Sequence, residues 1–247
     1  RELSPCPSRS TIAAWLAQAA IRPWTYTSWV TPRDPQFEQK AAPVLDLYNG
    51  LWDGEELSER DVIICADEKT GIQARSRRRS PPGPHTPNHV EHQYERHGTC
   101  IYQAALIVGT GEVLGHCVES NTRANFETLV EAVMAHPICR QADRVFWITD
   151  NGSAHHPNTF IWWLKKQYTN VEGLHLPTGA SWLNQMELYF SVLTRKALAG
   201  ESFASVSGLR DRIDGFEDRW NRAPTPIEWS YTSEQLTQLL EAQPAIV

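Results

Sequence analysis

Two apolar, β-branched runs in this chain each close on an aspartate: Asp61-Val-Ile-Ile-Cys-Ala-Asp67 and Arg144-Val-Phe-Trp-Ile-Thr-Asp150. Runs of this length and composition are strands of an α/β sheet. The carboxyl ends of such strands are where site residues gather. A solitary charge there is costly unless it is paired or ligated. A third acid, Glu187, lies inside Ser181-Trp-Leu-Asn-Gln-Met-Glu187-Leu-Tyr-Phe190, which reads as the first turns of a helix. It follows Leu183 by four residues and precedes Phe190 by three, so helical spacing sets it at the border of the buried face. Two strand ends and a helix carboxylate can converge into an all-oxygen pocket for two hard divalent cations, the usual device for phosphodiester chemistry. The chain has 29 Asp and Glu residues, and most acids are solvated surface charges. The apolar runs in front of Asp67 and Asp150 are what single them out.

The remainder of the chain is organised around these runs. Residues 8–20 have the spacing of a short helix, with Ser10 or Thr11 as cap and Ile12, Trp15, Leu16 and Ala19 on one stripe. A second helix is expected from Phe37 to Gly50. With Pro32, Pro35 and Pro43 these form a small helical module and linker over 1–58, ahead of a main domain over 59–247. In that domain strands are expected at 61–67, 99–108, 113–119, 144–149 and 171–176, the second and third joined as a hairpin through Gly109-Thr-Gly111-Glu112. Helices are expected at 123–136, 157–168, 181–199 and 205–221. The loop after the first strand carries Pro81-Pro82-Gly83-Pro84 and Pro87, which exclude a helix or a central strand there.

A net charge of −6 sits awkwardly with a nucleic-acid partner, which calls for a basic footprint. The run Arg75, Arg77, Arg78 and Arg79 supplies a local one. His85, His89, His92 and His97 follow in the same loop; their spacing admits zinc, but the proline-rich context and the lack of a C-x-x-C pair weigh against it. Phosphate contact, clamping of a partner subunit, or plain disorder are the competing readings of this loop. No apolar stretch approaches the roughly 20 residues a bilayer requires, and no signal peptide is visible. The five cysteines are scattered, as in a protein of the cytosol with reduced thiols, and Cys65 belongs to the core.

Four local strings go further: Cys65-Ala-Asp67-Glu-Lys-Thr, Trp147-Ile-Thr-Asp150-Asn-Gly-Ser-Ala-His155, Ala180-Ser-Trp-Leu-Asn184-Gln-Met-Glu187, and Arg219-Trp-Asn221 followed by Pro226-Ile-Glu-Trp229. Together they resemble the bacterial insertion-sequence transposases of the mariner superfamily, of the DDE type. The 36 residues between Asp150 and Glu187 match that family's short interval. The resemblance covers about residues 8–235. It implies a ribonuclease H-like α/β fold, a mixed five-stranded sheet flanked by helices with a small helical N-terminal remnant. It implies that Asp67, Asp150 and Glu187 hold two Mg²⁺ ions, or Mn²⁺, and that the chain cleaves DNA and transfers strands at transposon ends. Asn151 and His155 beside Asp150, and Asn184 beside Glu187, would orient carboxylates or touch the backbone, with backbone capping as the competing role for each; Glu68 reads as a surface acid. DNA is the implied partner, met by a homodimer in the bacterial cytoplasm at the nucleoid, with no membrane. Members usually carry two helix-turn-helix units, of which only the tail of the second is legible, around Ser8 to Trp29. A metal-dependent nuclease without strand transfer and a DNA-binding relic without activity are the alternatives.

Overall fold

The computed structural model describes residues 8–10, 34–80, 83–84, 87, 89–152 and 156–241. The helix expected over 8–20 falls almost wholly outside them, as does most of the segment read as a helix-turn-helix tail. The chain divides into two compact units, Arg1–Pro32 and Arg33–Val247. The second unit contains everything below.

Helix α1 (Phe37–Tyr48) buries Phe37, Ala41, Val44, Leu45 and Leu47, the stripe expected from its spacing, and tolerates Pro43 inside it. Strands β1 (Leu51–Trp52) and β2 (Glu55–Glu56) form a small antiparallel hairpin. Its turn places Asp53 at φ 52° and Gly54 at φ 81°, as a two-residue turn of this type requires. Strand β3 (Asp61–Ser76) follows, and the minor pair β4 (Arg79–Ser80) and β5 (His89–Val90) lies in the proline-rich stretch. Next come β6 (Glu95–Ile107), β7 (Glu112–Val118), helices α2 (Arg123–Ala135) and α3 (Pro137–Arg140), β8 (Arg144–Thr149), α4 (Pro157–Gln167) and β9 (Val171–His175).

The main sheet has five strands in the order β7-β6-β3-β8-β9. Pairing is antiparallel from β7 through β6 to β3 and parallel from β3 through β8 to β9, the mixed sheet expected from the sequence. Arg144 holds the two central strands together at their starts, with Nε and Nη2 donating to the two Asp61 carboxylate oxygens at 2.9 and 2.6 Å. Because side chains alternate along a strand, Val62, Ile64 and Ala66 of β3 face one layer of helices. There they pack with Val145 and Trp147 of β8, Phe126, Leu129, Val130 and Val133 of α2, and Phe160 and Leu164 of α4. Asp67 therefore faces the opposite side.

That opposite side is covered by the C-terminal part of the chain, where the structure departs from the expected single helix over 181–199. A turn of 3₁₀ helix, Ser181–Leu183, breaks at Asn184, whose backbone is extended (φ −81°, ψ 111°). Helix α5 (Met186–Leu193) then runs into a π turn, Thr194–Leu198. Helix α6 (Val206–Asn221) starts on Ser205, whose hydroxyl accepts from the Gly208 N–H at 3.1 Å. Helix α7 (Ser233–Glu241) packs on α1 and has no counterpart in the expected elements. Tyr102, Tyr189, Phe190, Phe216 and Trp220 interlock beneath α5 and α6 as an aromatic cluster with centroid spacings of 5.1 to 6.4 Å. Gly115 on β7 leaves room for it: a Cβ there would stand 2.5 Å from the Tyr102 hydroxyl oxygen.

Candidate active site

Strand β3 delivers Asp67 to the middle of the sheet's carboxyl end, 6% exposed. The parallel neighbour β8 ends one residue before Asp150, so the two aspartates leave adjacent strands at the same edge. Helix α5 brings Glu187 over that edge in its first turn. Burial pushes the Asp67 carboxyl up to about 7, and the Asp150 charge adds to the shift; an N–H bond from Glu68 opposes it, and the Glu68 and Glu187 charges raise it further. The structure thus brings Asp150 and Glu187 each within electrostatic reach of Asp67. Among the described residues no three His, Cys, Asp or Glu side chains are drawn into a ligating cluster. Glu187 is exposed and does not border the buried face as its spacing suggested. The helix starts only at Met186, so Leu183 lies outside its register.

Asn184 is fully buried and acts on the first acid. Its side-chain amide donates to the Ala66 carbonyl at 3.0 Å and to Asp67 Oδ2 at 3.4 Å, while its Oδ1 accepts from the Met186 N–H at 3.1 Å. One side chain thus caps α5 and fastens it to the middle of β3. Asp67 Oδ1 accepts the Glu68 N–H at 2.7 Å. The Asp150 carboxylate accepts the Gly152 N–H at 2.8 Å, and the Asp150 carbonyl lies 3.1 Å from His175 Nδ1. Asn151 turns away to donate to the Leu176 carbonyl at 2.8 Å, anchoring the loop after β8 to the end of β9. His155 lies outside the described residues. Glu68, read as a surface acid, is instead half-buried and accepts from Asn121 at 2.6 Å; Asn121 in turn accepts from Gln103 at 2.7 Å. A carboxylate held by asparagine beside Asp67 has no local sequence signal, because Asn121 comes from the far end of β7.

The donors at this edge are carboxylate oxygens, the set that hard divalent cations prefer. The charges that raise the Asp67 pKa are themselves carboxylates, an arrangement that a cation would relieve. Asp67, Asp150 and Glu187 therefore fit a divalent metal as donors.

Beyond Asp67, β3 continues along an open cleft of about 760 Å³ lined by Lys69, Gln73, Arg75, Arg77, Arg79, Glu201 and Phe203 among others. Three arginines of the basic run are in that lining; Arg78 is exposed and outside it. Of the four loop histidines, His85 is outside the described residues, and His97 Nε2 pairs with the Ser76 hydroxyl at 2.7 Å.

Comparison with known proteins bears on the family and the fold. The family model of DDE superfamily endonucleases matches residues 62–210. Among solved structures, the Mos1 mariner paired end complex with Mn superposes with a TM-score of 0.59 at 19% identity, covering 95% of this chain and 68% of that one. The Mos1 Strand Transfer Complex gives 0.57 at 16% identity, covering 95% and 67%. These likenesses establish a shared ribonuclease H-like fold. No curated protein matches the chain.

Proposed function

Because this chain belongs to the DDE superfamily endonucleases, we propose that it is the catalytic core of a transposase that cleaves DNA at transposon ends and joins the freed ends to a target. One observation supports the reading: the buried Asp67 carboxyl is raised to about 7 by burial and by the charges of Asp150, Glu68 and Glu187. These three would hold two Mg²⁺ ions, or Mn²⁺, which supply an activated water or 3′-hydroxyl and stabilise the leaving 3′-oxygen.

The chain's own residues set the geometry. Asn184 fixes Asp67 against α5, so that the strand acid and the helix acid move as one body. The Gly152 N–H orients the Asp150 carboxylate. Glu187, exposed in the first turn of α5, approaches from the solvent side, where a DNA strand enters. Asn151 supports the Asp150 loop through Leu176, and His155, five residues after Asp150 in the sequence, is assigned the second supporting role. Arg75, Arg77, Arg78 and Arg79 provide the positive surface for the phosphate backbone that the acidic average of the chain lacks. A homodimer on DNA, in a bacterial cytoplasm at the nucleoid, is the assembly that fits an enzyme handling two transposon ends. No described helix is long and apolar enough to cross a membrane.

Incubation with supercoiled plasmid and Mg²⁺ or Mn²⁺ tests this. Nicked plus joined products are expected. Nicking without joining would leave a nuclease, and binding without nicking a DNA-binding relic.

A further inference from the structure

Charge in this molecule is partitioned unevenly. Lys40 pairs with Asp34 at 2.7 Å, Arg60 with Asp143 at 2.9 Å, Arg123 with Glu127 at 2.6 Å, and Lys165 with Glu172 at 2.6 Å. Along the cleft beside β3 the pattern stops. Among the described residues Lys69, Arg75, Arg77 and Arg79 of the cleft wall, and Arg96 paired across from Arg75 on β6, enter no ion pair, although the chain has a net charge of −6 and acids to spare. The acid in the cleft wall, Glu201, is engaged by Arg212 at 3.3 Å.

Three of the unpaired guanidiniums converge on one ring. Arg75, Arg77 and Arg96 stand 5.1, 5.6 and 5.5 Å from the centroid of Tyr94, and Arg96 Nη2 donates to the Tyr94 hydroxyl at 3.1 Å. Like charges so gathered repel; the ring quadrupole offsets part of that, and a bound polyanion would offset the rest. The wall is also fixed in place. The Phe203 N–H donates to the Arg75 carbonyl at 2.8 Å, the Arg77 N–H to the Ser202 hydroxyl at 3.2 Å, and the Arg79 guanidinium to the Gly200 carbonyl. Lys69 ties the cleft to the active site, its ammonium 5.9 Å from the ring centre of Phe190 on the helix that carries Glu187.

We propose that this cleft is a rail for the backbone of duplex DNA, organised by Tyr94 and completed by Arg96, gripping the substrate at a fixed distance from the catalytic acids. The inference rests on the endonuclease reading and assigns that enzyme a second contact. A strand advances roughly 3.3 Å per residue, so the span from Asp67 to Arg75 is roughly 20–26 Å once the two register shifts on β3 are allowed for. Phosphates on one DNA strand advance about 3.4 Å along the axis, so the gripped phosphates lie about six to eight base pairs from the cleaved one. A single strand fits less well, because it binds by stacking bases on open aromatic faces, and the Tyr94 ring is already occupied by guanidiniums.

The test reads affinity of the intact protein, in chelator, for a labelled 30-base-pair duplex of arbitrary sequence across a salt series. Arg96→Ala and Arg75→Ala should each lower the slope of log K against log salt by about 0.9, whereas Arg140→Ala, at an exposed position outside the cleft, should not. Tyr94→Leu should weaken binding roughly threefold to thirtyfold at unchanged slope, because it scatters charges without removing one; Tyr94→Phe should stay near wild type. Phosphate-ethylation interference on any fragment the protein nicks should show blocking phosphates six to eight base pairs from the nick, and lose them in Arg96→Ala. An unchanged slope in Arg96→Ala, tighter binding of the single strand, or equal competition by polyglutamate would overturn the rail. Loss of nicking with these binding results intact would instead count against the catalytic reading alone.

Discussion

Two carboxyl groups among the described residues are pushed up to about 7, and they differ in what answers them. Glu217 on α6 is raised by burial, with smaller contributions from the charges of Asp214 and Asp218, yet its oxygens are answered by the fold: Tyr102 donates its hydroxyl at 2.5 Å and the Gly115 N–H donates at 3.3 Å. Asp67 is raised by burial and then by Asp150, Glu68 and Glu187, with the Glu68 N–H and a long contact from Asn184 as its support. A raised carboxyl therefore does not mark an active site by itself. What separates the two is the remedy each lacks. At Glu217 the protein donors outweigh the charges of Asp214 and Asp218, whereas at Asp67 the Asp150 charge is second only to burial and would be eased by a cation.

The largest expected effect breaks the pair apart by activity. Asp67→Asn, Asp150→Asn and Glu187→Gln should each lower metal-dependent plasmid nicking by at least about a thousandfold, which is roughly 4 kcal/mol of lost transition-state stabilisation. Glu217→Gln, measured where it is folded, should stay within about threefold. Near wild-type nicking in any of the first three would remove that residue from the site.

The next effect is a pH dependence common to both groups and a metal response confined to one. The folded pKa of each lies above the ordinary carboxylate range near 4, so the folded protein keeps protons that the unfolded chain has released. The share of stability in chelator that each of the two groups contributes should therefore be greatest below about pH 4 and fall as pH rises toward about 7, by roughly 1–3 kcal/mol for each group. Asp67→Asn and Glu217→Gln should each remove their own share from melting curves taken across that range. Mg²⁺ at pH 7.5 should restore the Asp67 share only. Asp150→Asn should raise stability in chelator by roughly 0.5–2 kcal/mol and abolish most of the metal-induced gain. A wild type that gains nothing from Mg²⁺ while Glu217→Gln does would invert the comparison.

The smallest effect sharpens the Glu217 side. Tyr102→Phe removes the hydroxyl whose bond holds the Glu217 pKa down, and should cost about 1 kcal/mol. It should also move the Glu217 segment of the stability curve to higher pH while leaving the Asp67 segment in place. Equal movement of both would mean that the two groups titrate as one system.

The apolar runs ending at Asp67 and Asp150 were readable because β-branched and aromatic residues bounded by charge leave few alternatives to a buried strand. The antiparallel hairpin of β6 and β7 followed from its turn, while the parallel pairing of β3 with β8 is shown by the structure. The second half of β3 was not readable. Residues 68–76 are mostly polar, and they become strand only because β6 runs long enough to pair with Gln73, Arg75 and Ser76. The turn at Asp53-Gly54 carried a clear hairpin signal, but its strands of two residues each are too short to show periodicity. Helix α7 escaped because Leu236 is its only buried residue among those described.

The sequence by itself determined the three acids, the strand ends that carry two of them, and the basic run beyond the first. These depend on local composition and spacing, which a chain displays before it folds. The tertiary structure decided what each group meets. It broke the expected helix at Asn184 so that this side chain could hold Asp67, brought Asn121 to Glu68 across the sheet, and set Arg96 with Arg75 and Arg77 around the ring of Tyr94. It also set Glu217 against Tyr102, 115 residues away in the chain. Such contacts join residues with no fixed spacing, and the energy of a buried charge depends on the atoms packed around it rather than on its neighbours in sequence.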